Sequence, residues 1–244
     1  KVSGLIVRDF PSHYSNWRSM DSLGNYLKNN DVTAISDIDT RRLTRIIREK
    51  GALGGCLSTT NAEPDLLVKR AKNVSSLAGQ DLASIASTKE VYRWEEGCHH
   101  LGGNEKSPLE KKYTVVAYDY GIKTNILRLL AERGCSVVVL PARTAPSVAL
   151  SYNPDGIFFS NGPGDPEPCK YAVDAIREFS ELKIPLFGIC LGYQLMALAF
   201  GGETRKMKFG HHGANHPVRE ISSGKILITS QNHGFVVEEE SLPS

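Results

Sequence analysis

Cysteine is scarce in this sequence, and nothing in its placement suggests pairing. Cys56, Cys98, Cys135, Cys169 and Cys190 are odd in number and none stands in CxxC spacing. That argues against a disulfide framework and for free thiols in a reducing compartment. Long apolar runs are missing as well: none approaches the ~18–20 residues of a membrane span. No charged-then-apolar segment opens the chain, so no secretory signal is visible. Cytoplasm is the expected location, or an organelle if the source is eukaryotic, with no membrane partner. Charge of one sign is lacking too. The 29 Lys and Arg against 27 Asp and Glu leave a formal charge of +2, too small to argue for nucleic acid or an anionic surface. Neither G-x-x-x-x-G-K-[ST] nor G-x-G-x-x-G occurs, so no nucleotide-binding loop is expected. Internal repeats and low-complexity tracts are absent. An initial Met is also wanting. Lys1 and Val2 run into Leu5-Ile6-Val7, which reads like the middle of a strand, so the expectation is an internal fragment.

What is present is ordinary globular composition, 41% hydrophobic and 23% charged over 244 residues. This fits one large domain or two modest ones. Residues 1 to 87 mix short strands and helices. Ala34 to Ser36 reads as a strand. Asp37 or Asp39 can cap a helix running through Arg48, with Ile38, Leu43, Ile46 and Ile47 on one face, and Lys50-Gly51 ending it. Residues 88 to 112 carry little periodicity and read as a linker with some local structure. From 113 to 244 strands and helices alternate. Strands are expected at 114–118, 136–140, 156–160 and 185–189, with helices at 125–133, 146–152, 171–182 and 191–200. Ala172, Ala175, Ile176 and Phe179 point inward. This pattern implies a parallel sheet covered on both faces. Beyond Gly202 the chain becomes strand-rich, at 206–209, 217–221 and 225–229.

Three motifs carry candidate chemistry. Gly188-Ile189-Cys190-Leu191-Gly192 follows an apolar strand and opens a helix, the G-x-nucleophile-x-G elbow with Cys in place of Ser. The helix beginning at Leu191 aims its positive end at the sulfur, which is expected to favour thiolate, and the Leu191 N–H is placed to donate to an oxyanion. The other reading is a buried structural thiol. Ser160-Asn161-Gly162-Pro163-Gly164-Asp165-Pro166 also ends a strand, and its glycines permit close backbone approach and N–H donation to an oxyanion. The other reading is an ordinary Gly/Pro turn. Gln231-Asn232-His233-Gly234-Phe235 follows a β-rich run, with a hairpin turn as its alternative. Ligands of open parallel sheets bind beyond the carboxyl ends of the strands, where the first two motifs fall and which the third can reach. The clusters Cys98-His99-His100 and His211, His212, His216 lack metal-ligand spacing, so no metal is expected. Arg41, Arg42, Arg45 and Arg48 give one helix a basic side, read as solvated or partner-facing rather than as a nucleic-acid site.

GICLGYQ (188–194), SNGPGDP (160–166) and QNHGF (231–235) resemble the class I, Cys-His-Glu glutamine amidotransferases. DIDTRRLTRIIREKGALGGC (37–56) and MKFGHHGANHPV (207–218) narrow the resemblance to the small, glutamine-hydrolysing subunit of carbamoyl-phosphate synthetase. It runs over essentially the whole chain. The fold it implies is α/β: an incomplete amino-terminal α/β domain, then a truncated, open, mainly parallel-sheet amidotransferase domain. The activity it implies is attack of Cys190 on L-glutamine, a glutamyl thioester, and ammonia passed through a tunnel to a large subunit in a heterodimer or higher assembly. That partner would use ATP, Mg and bicarbonate to make carbamoyl phosphate for arginine and pyrimidine synthesis, leaving this chain without a cofactor of its own. Residue by residue, the resemblance gives Leu191 the oxyanion N–H and gives Gly162 and Gly164 backbone contacts to substrate. Gln194, Asn232, Gly234 and Phe235 match glutamine-binding positions, with His233 among them. Tyr193 departs from the pattern, since many relatives carry His there. The family's triad His and Glu lie in a His-Pro-Glu motif, and a glutamine-contacting Ser lies in its first segment. Neither occurs in these 244 residues, so the chain as written is expected not to complete the triad. His233 and Glu238 are not taken as substitutes. The alternatives are a glutaminase of another synthetase, such as anthranilate synthase, or a non-catalytic scaffolding or regulatory partner.

Overall fold

The computed structural model describes residues 2–60, 63–98 and 110–243. The chain forms two compact units, residues 1–75 and 76–244. In the first, β1 (Gly4–Ile6), α1 (Leu23–Asn29), β2 (Thr33–Ile35), α2 (Thr40–Lys50) and α3 (Pro64–Lys72) follow in order, and β1 pairs in parallel with β2. The start of α2 is set by Asp39, whose carboxylate accepts the Arg42 N–H at 2.9 Å. Its end is set by Gly51 at φ 92°, a conformation that costs a side chain energy.

The second unit opens with α4 (Leu82–Ala86), capped by Asp81, and β3 (Tyr92–Trp94). Then come β4 (Tyr113–Asp119), α5 (Thr124–Glu132), β5 (Cys135–Pro141), α6 (Pro146–Leu150), β6 (Gly156–Phe159), α7 (Lys170–Glu181), β7 (Leu186–Gly188) and α8 (Leu191–Ala199). Two long strands close the chain, β8 (Thr204–Arg219) and β9 (Ile226–Val237). The five-stranded sheet has the order β3-β5-β4-β6-β7, with every pair parallel except the antiparallel edge strand β3. Strands buried on both faces explain the near-continuous apolar runs. Val116, Tyr118, Val138, Leu140, Ile157 and Phe159 face α7 and α8. The intervening Ala117, Val137, Val139 and Phe158 face Leu127 of α5. This is the two-residue period of a pleated strand. The inward face of α7 is as expected, with Ala172, Ala175, Ile176 and Phe179 all buried.

The structural division falls between residues 75 and 76, whereas the change in composition suggests 87. The intervening segment is tied to the sheet. The Thr88 N–H donates to Asp119 at 2.7 Å, the Ala142 N–H donates to Ser87 at 2.8 Å, and β3 pairs with β5 inside the stretch read as linker. Of the expected Cys98-His99-His100 cluster, His99 and His100 lie outside the described residues. The three short strands expected after Gly202 are two long ones. β8 and β9 form an antiparallel hairpin that absorbs two irregularities in register, between Lys206 and His211 and between Gly213 and His216. A bulge lets a ladder continue through residues that break strict alternation, which is why the pattern looked interrupted.

Candidate active site

β4 lies between β5 and β6, so the chain leaves it first to one side and then to the other. The crevice at such a switch point, beyond the carboxyl ends of the strands, is where open α/β sheets bind ligands. The loop after β6 and the elbow after β7 both open there.

The elbow is built on one strained residue. Cys190 sits at φ 53°, ψ −106°, and the Gly192 N–H closes the turn on the Ile189 carbonyl at 3.0 Å. This is a type II′ turn with cysteine where glycine is usual. The flanking glycines are required by close approach. A Cβ on Gly188 would lie 2.6 Å from the Gly192 carbonyl carbon, and one on Gly192 would overlap the Phe159 carbonyl. Main-chain bonds fasten the turn to β6: Ile189 N–H to the Phe159 carbonyl at 3.1 Å, and Gly192 N–H to the Ser160 carbonyl at 3.0 Å.

Two backbone N–H groups flank the sulfur: those of Leu191 and Gly162 lie near enough to Cys190 to favour its anion. Gly162 can approach because it has no side chain; a Cβ there would strike the Tyr120 carbonyl and Leu191 Cδ2. These donors pull the thiol pKa down, but burial outweighs them and the net shift is upward. The expectation that the helix would hold Cys190 as thiolate is therefore corrected. In the half-buried elbow, desolvation of the anion exceeds the attraction of the helix terminus, so forming thiolate needs a base.

The remaining sequence-identified residues approach from two directions. Asn232, His233, Gly234 and Phe235 lie within β9 rather than at a strand end or in a hairpin turn. The Cys190 thiol points at the Asn232 carbonyl at 3.9 Å. Gln194, buried on α8, donates to the Phe235 carbonyl at 2.8 Å and ties the elbow helix to β9. The same carbonyl is 2.8 Å from His233 Nδ1, while His233 Nε2 stands 3.3 Å from His211 Nδ1. Glu238 is ion-paired with Arg205, and no hydrogen bond joins it to His233. Gly164, at φ 92°, is packed against Leu82 of α4, where a Cβ would lie 3.0 Å from Leu82 Cβ. Among the described residues no group of three or more His, Cys, Asp and Glu is arranged to hold a metal ion. Cys169, by contrast with Cys190, is fully buried at the start of α7, and burial pushes its thiol up to about 12. It is closed to any substrate.

Asp119, outside every motif, and Asn161, present only as part of the motif at 160–166, brace this crevice. Asp119 accepts N–H bonds from Gly121, Ile122 and Thr88 at 2.7–2.8 Å, fixing the loop after β4. Asn161 spans that loop, donating to the Gly121 carbonyl at 2.9 Å and accepting from the Lys123 N–H at 3.0 Å. The only trace of this in the sequence is a polar side chain at each of two strand ends.

The family model "Carbamoyl-phosphate synthase small chain, CPSase domain" matches residues 1–57, and "Glutamine amidotransferase class-I" matches residues 116–244. The carbamoyl phosphate synthase small chain of Pasteurella multocida is 55% identical over 243 residues, covering all of this chain and 63% of that one. The small chain of Vibrio cholerae is 54% identical, covering 99% of this chain and 65% of that one. The chain thus spans under two thirds of the length of these relatives. A glutamine amidotransferase structure from Thermotoga maritima aligns with TM-score 0.41 and 22% identity, over 52% of this chain and 62% of that one. The elbow, the loop after β6 and β9 all fall inside the second matched segment, which takes in more than half of the residues, and this chain belongs to the class-I glutamine amidotransferase family.

Proposed function

We propose that this chain is the glutamine-hydrolysing small subunit of a carbamoyl-phosphate synthetase, with Cys190 as nucleophile. The observation that carries the reading is the strand-to-helix elbow that holds a half-buried Cys190 at positive φ between glycines that admit no side chain, beside the Leu191 and Gly162 N–H groups. Cys190 Sγ, once deprotonated, attacks the side-chain carbonyl carbon of L-glutamine. The electron pair moves to the carbonyl oxygen, which becomes the oxyanion facing those two donors. Collapse breaks the C–N bond, and the nitrogen leaves as ammonia after taking a proton. Water then attacks the glutamyl thioester, giving glutamate and returning the thiol. Burial raises the thiol pKa, so the first step depends on a base. The resemblance assigns that base to a His-Pro-Glu segment outside these residues. Gly164, Gln194, Asn232, His233, Gly234 and Phe235 are proposed as the glutamine-binding surround. Gln194 acts by holding β9 against α8 through the Phe235 carbonyl.

The partner in this reading is the large synthetase subunit, which takes up the ammonia and uses bicarbonate, ATP and Mg to make carbamoyl phosphate in the cytoplasm. Among the described residues no helix is long and apolar enough to cross a membrane. The match of residues 1–57 to the carbamoyl-phosphate synthase small chain favours this partner over that of another synthetase. The test is to assemble the protein with its large subunit and compare glutamine with free ammonia as nitrogen source. Cys190→Ser is expected to abolish glutamine-dependent synthesis and spare ammonia-dependent synthesis. Glutamine hydrolysis surviving in Cys190→Ser would refute the assignment, and a glutamine-mimicking electrophile that left Cys190 unlabelled would favour the scaffold reading.

A further inference from the structure

We infer that Asn161 is a positioning residue, whose side-chain amide clamps the loop after β6 and so fixes the Gly162 N–H at the site beside Cys190; this rests on the assignment of Cys190 as nucleophile. Asn161 immediately precedes Gly162, so whatever fixes its backbone fixes the direction of that amide. Its side chain makes two bonds to one rigid partner. Nδ2 donates to the Gly121 carbonyl at 2.9 Å, and Oδ1 accepts the Lys123 N–H at 3.0 Å. The partner loop is itself pinned by two N–H bonds to Asp119, from Gly121 and Ile122. Lys123 opens α5 without a side-chain cap of its own, so Asn161 satisfies that donor from across the switch-point crevice.

The backbone around Asn161 is held from the other side as well. Ser160 Oγ accepts the Tyr120 N–H at 2.9 Å and donates to the Asn161 carbonyl at 2.8 Å. The Ser160 carbonyl accepts the elbow's Gly192 N–H at 3.0 Å. Ser160 thus joins the loop to both β4 and the elbow, and its hydroxyl holds the carbonyl of the peptide unit that carries the Gly162 N–H. Only Asn161 reaches past the strand ends to the α5 side of the crevice. Without it, the 161–162 peptide unit keeps the Ser160 bond to its carbonyl but loses both ties to the loop after β4, so its N–H is held from one side only. An oxyanion donor helps only if it already points at the charge before the charge forms. Loss of orientation by about 1 Å costs on the order of 10²-fold in rate.

The experiment uses the natural full-length protein assembled with its partner subunit, comparing wild type, Asn161→Ala, Asn161→Asp and Cys190→Ser. Two reactions of the same thiol are measured: glutamine hydrolysis, which passes through an oxyanion, and displacement of iodide from iodoacetamide, which does not. Alkylation is read at its high-pH plateau, where thiolate is saturated in every variant. Asn161→Ala is expected to lower kcat for glutamine about 10- to 100-fold, since a misdirected donor approaches the ~10²–10³-fold cost of a deleted one. KM should stay within about threefold and the alkylation plateau within about twofold. Asn161→Asp keeps the acceptor for Lys123 and loses the donor to Gly121, so its kcat should fall between the two, and it carries the test if the alanine variant does not fold. A kcat within twofold of wild type in both variants would overturn the inference. So would a plateau alkylation rate falling in parallel with kcat, which would mean that Asn161 merely supports the fold around the thiol. If Cys190→Ser still hydrolyses glutamine, the nucleophile assignment falls and the inference with it. If Cys190→Ser is dead and Asn161→Ala is normal, the inference alone falls.

Discussion

Replacing Cys190 with glycine should leave the protein more stable than replacing it with alanine. At most positions the order is the reverse, because glycine loses more backbone freedom on folding, a deficit of roughly 0.5–1 kcal/mol. At Cys190 the backbone is held at φ 53°, ψ −106°, a region where a Cβ carries strain of about 1–3 kcal/mol. Alanine keeps that Cβ and its strain; glycine removes both. The contacts of the sulfur, including that with the Asn232 carbonyl, are lost in either variant and cancel. Subtracting the glycine deficit from the relieved strain leaves roughly 0–2.5 kcal/mol in favour of glycine, centred near 1 kcal/mol. For a domain of this size the central value corresponds to a melting shift of roughly 2–4 °C. Urea titration of both variants, followed by far-ultraviolet circular dichroism, measures the difference directly. The ordinary alanine advantage of roughly 0.5–1 kcal/mol would refute the claim that the elbow stores strain. The same pair of variants would both be inert to a glutamine-mimicking electrophile, so strain and chemistry are read separately.

The two thiols near the carboxyl end of the sheet should differ in labelling. Burial raises the Cys190 pKa above the usual 9.0, so in this 244-residue chain its alkylation by iodoacetamide should climb with a midpoint above pH 9; a midpoint near 7 would show that the N–H donors outweigh desolvation. Cys169, fully enclosed and raised to about 12, should label only when the chain unfolds, as peptide mapping with and without urea would reveal. At Asp81, burial raises the carboxyl pKa, but the Ser84 N–H, Arg143 and Tyr171 together carry it below its ordinary 3.8. A depressed carboxyl stabilises the fold above the unfolded-state pKa and loses that contribution as pH falls through the folded-state value. Asn at this position preserves the helix cap and removes the charge facing Arg143, 2.6 Å away. Wild type should therefore exceed Asp81→Asn by up to about 1 kcal/mol near pH 7, the scale of a half-exposed ion pair. The gap should close below pH 4, and one that widened in acid would contradict the sign.

Local chemistry determined much of this protein in advance. The apolar runs of β4, β5 and β6, the 3–4 spacing of α7, the Asp39 cap and Gly51 stop of α2, and the strand–GICLG–helix order of the elbow depend on contacts within a few residues. Each follows from the period of a strand or helix, or from a backbone angle that only certain residues tolerate. The elbow is legible because its glycines answer a steric demand made by neighbours in the same turn. Features decided between distant segments were not legible. QNHGF was visible as a motif, yet only pairing with β8 places it inside a strand that passes Cys190, since bulges let the hairpin run on where the alternation breaks. Residues 76 to 88 belong to the second unit through bonds such as those from the Thr88 N–H to Asp119 and from the Ala142 N–H to Ser87, which leave no periodic trace. The thiol's upward shift reverses the sign expected from the helix end, because burial is set by everything that packs around the sulfur and outweighs the one local dipole. Asn161 reads as one more polar loop residue until the fold lays it across the gap between β6 and α5. Hydrogen-bond partners forty residues apart in the chain are fixed by topology, and only the folded sheet brings them within 3 Å.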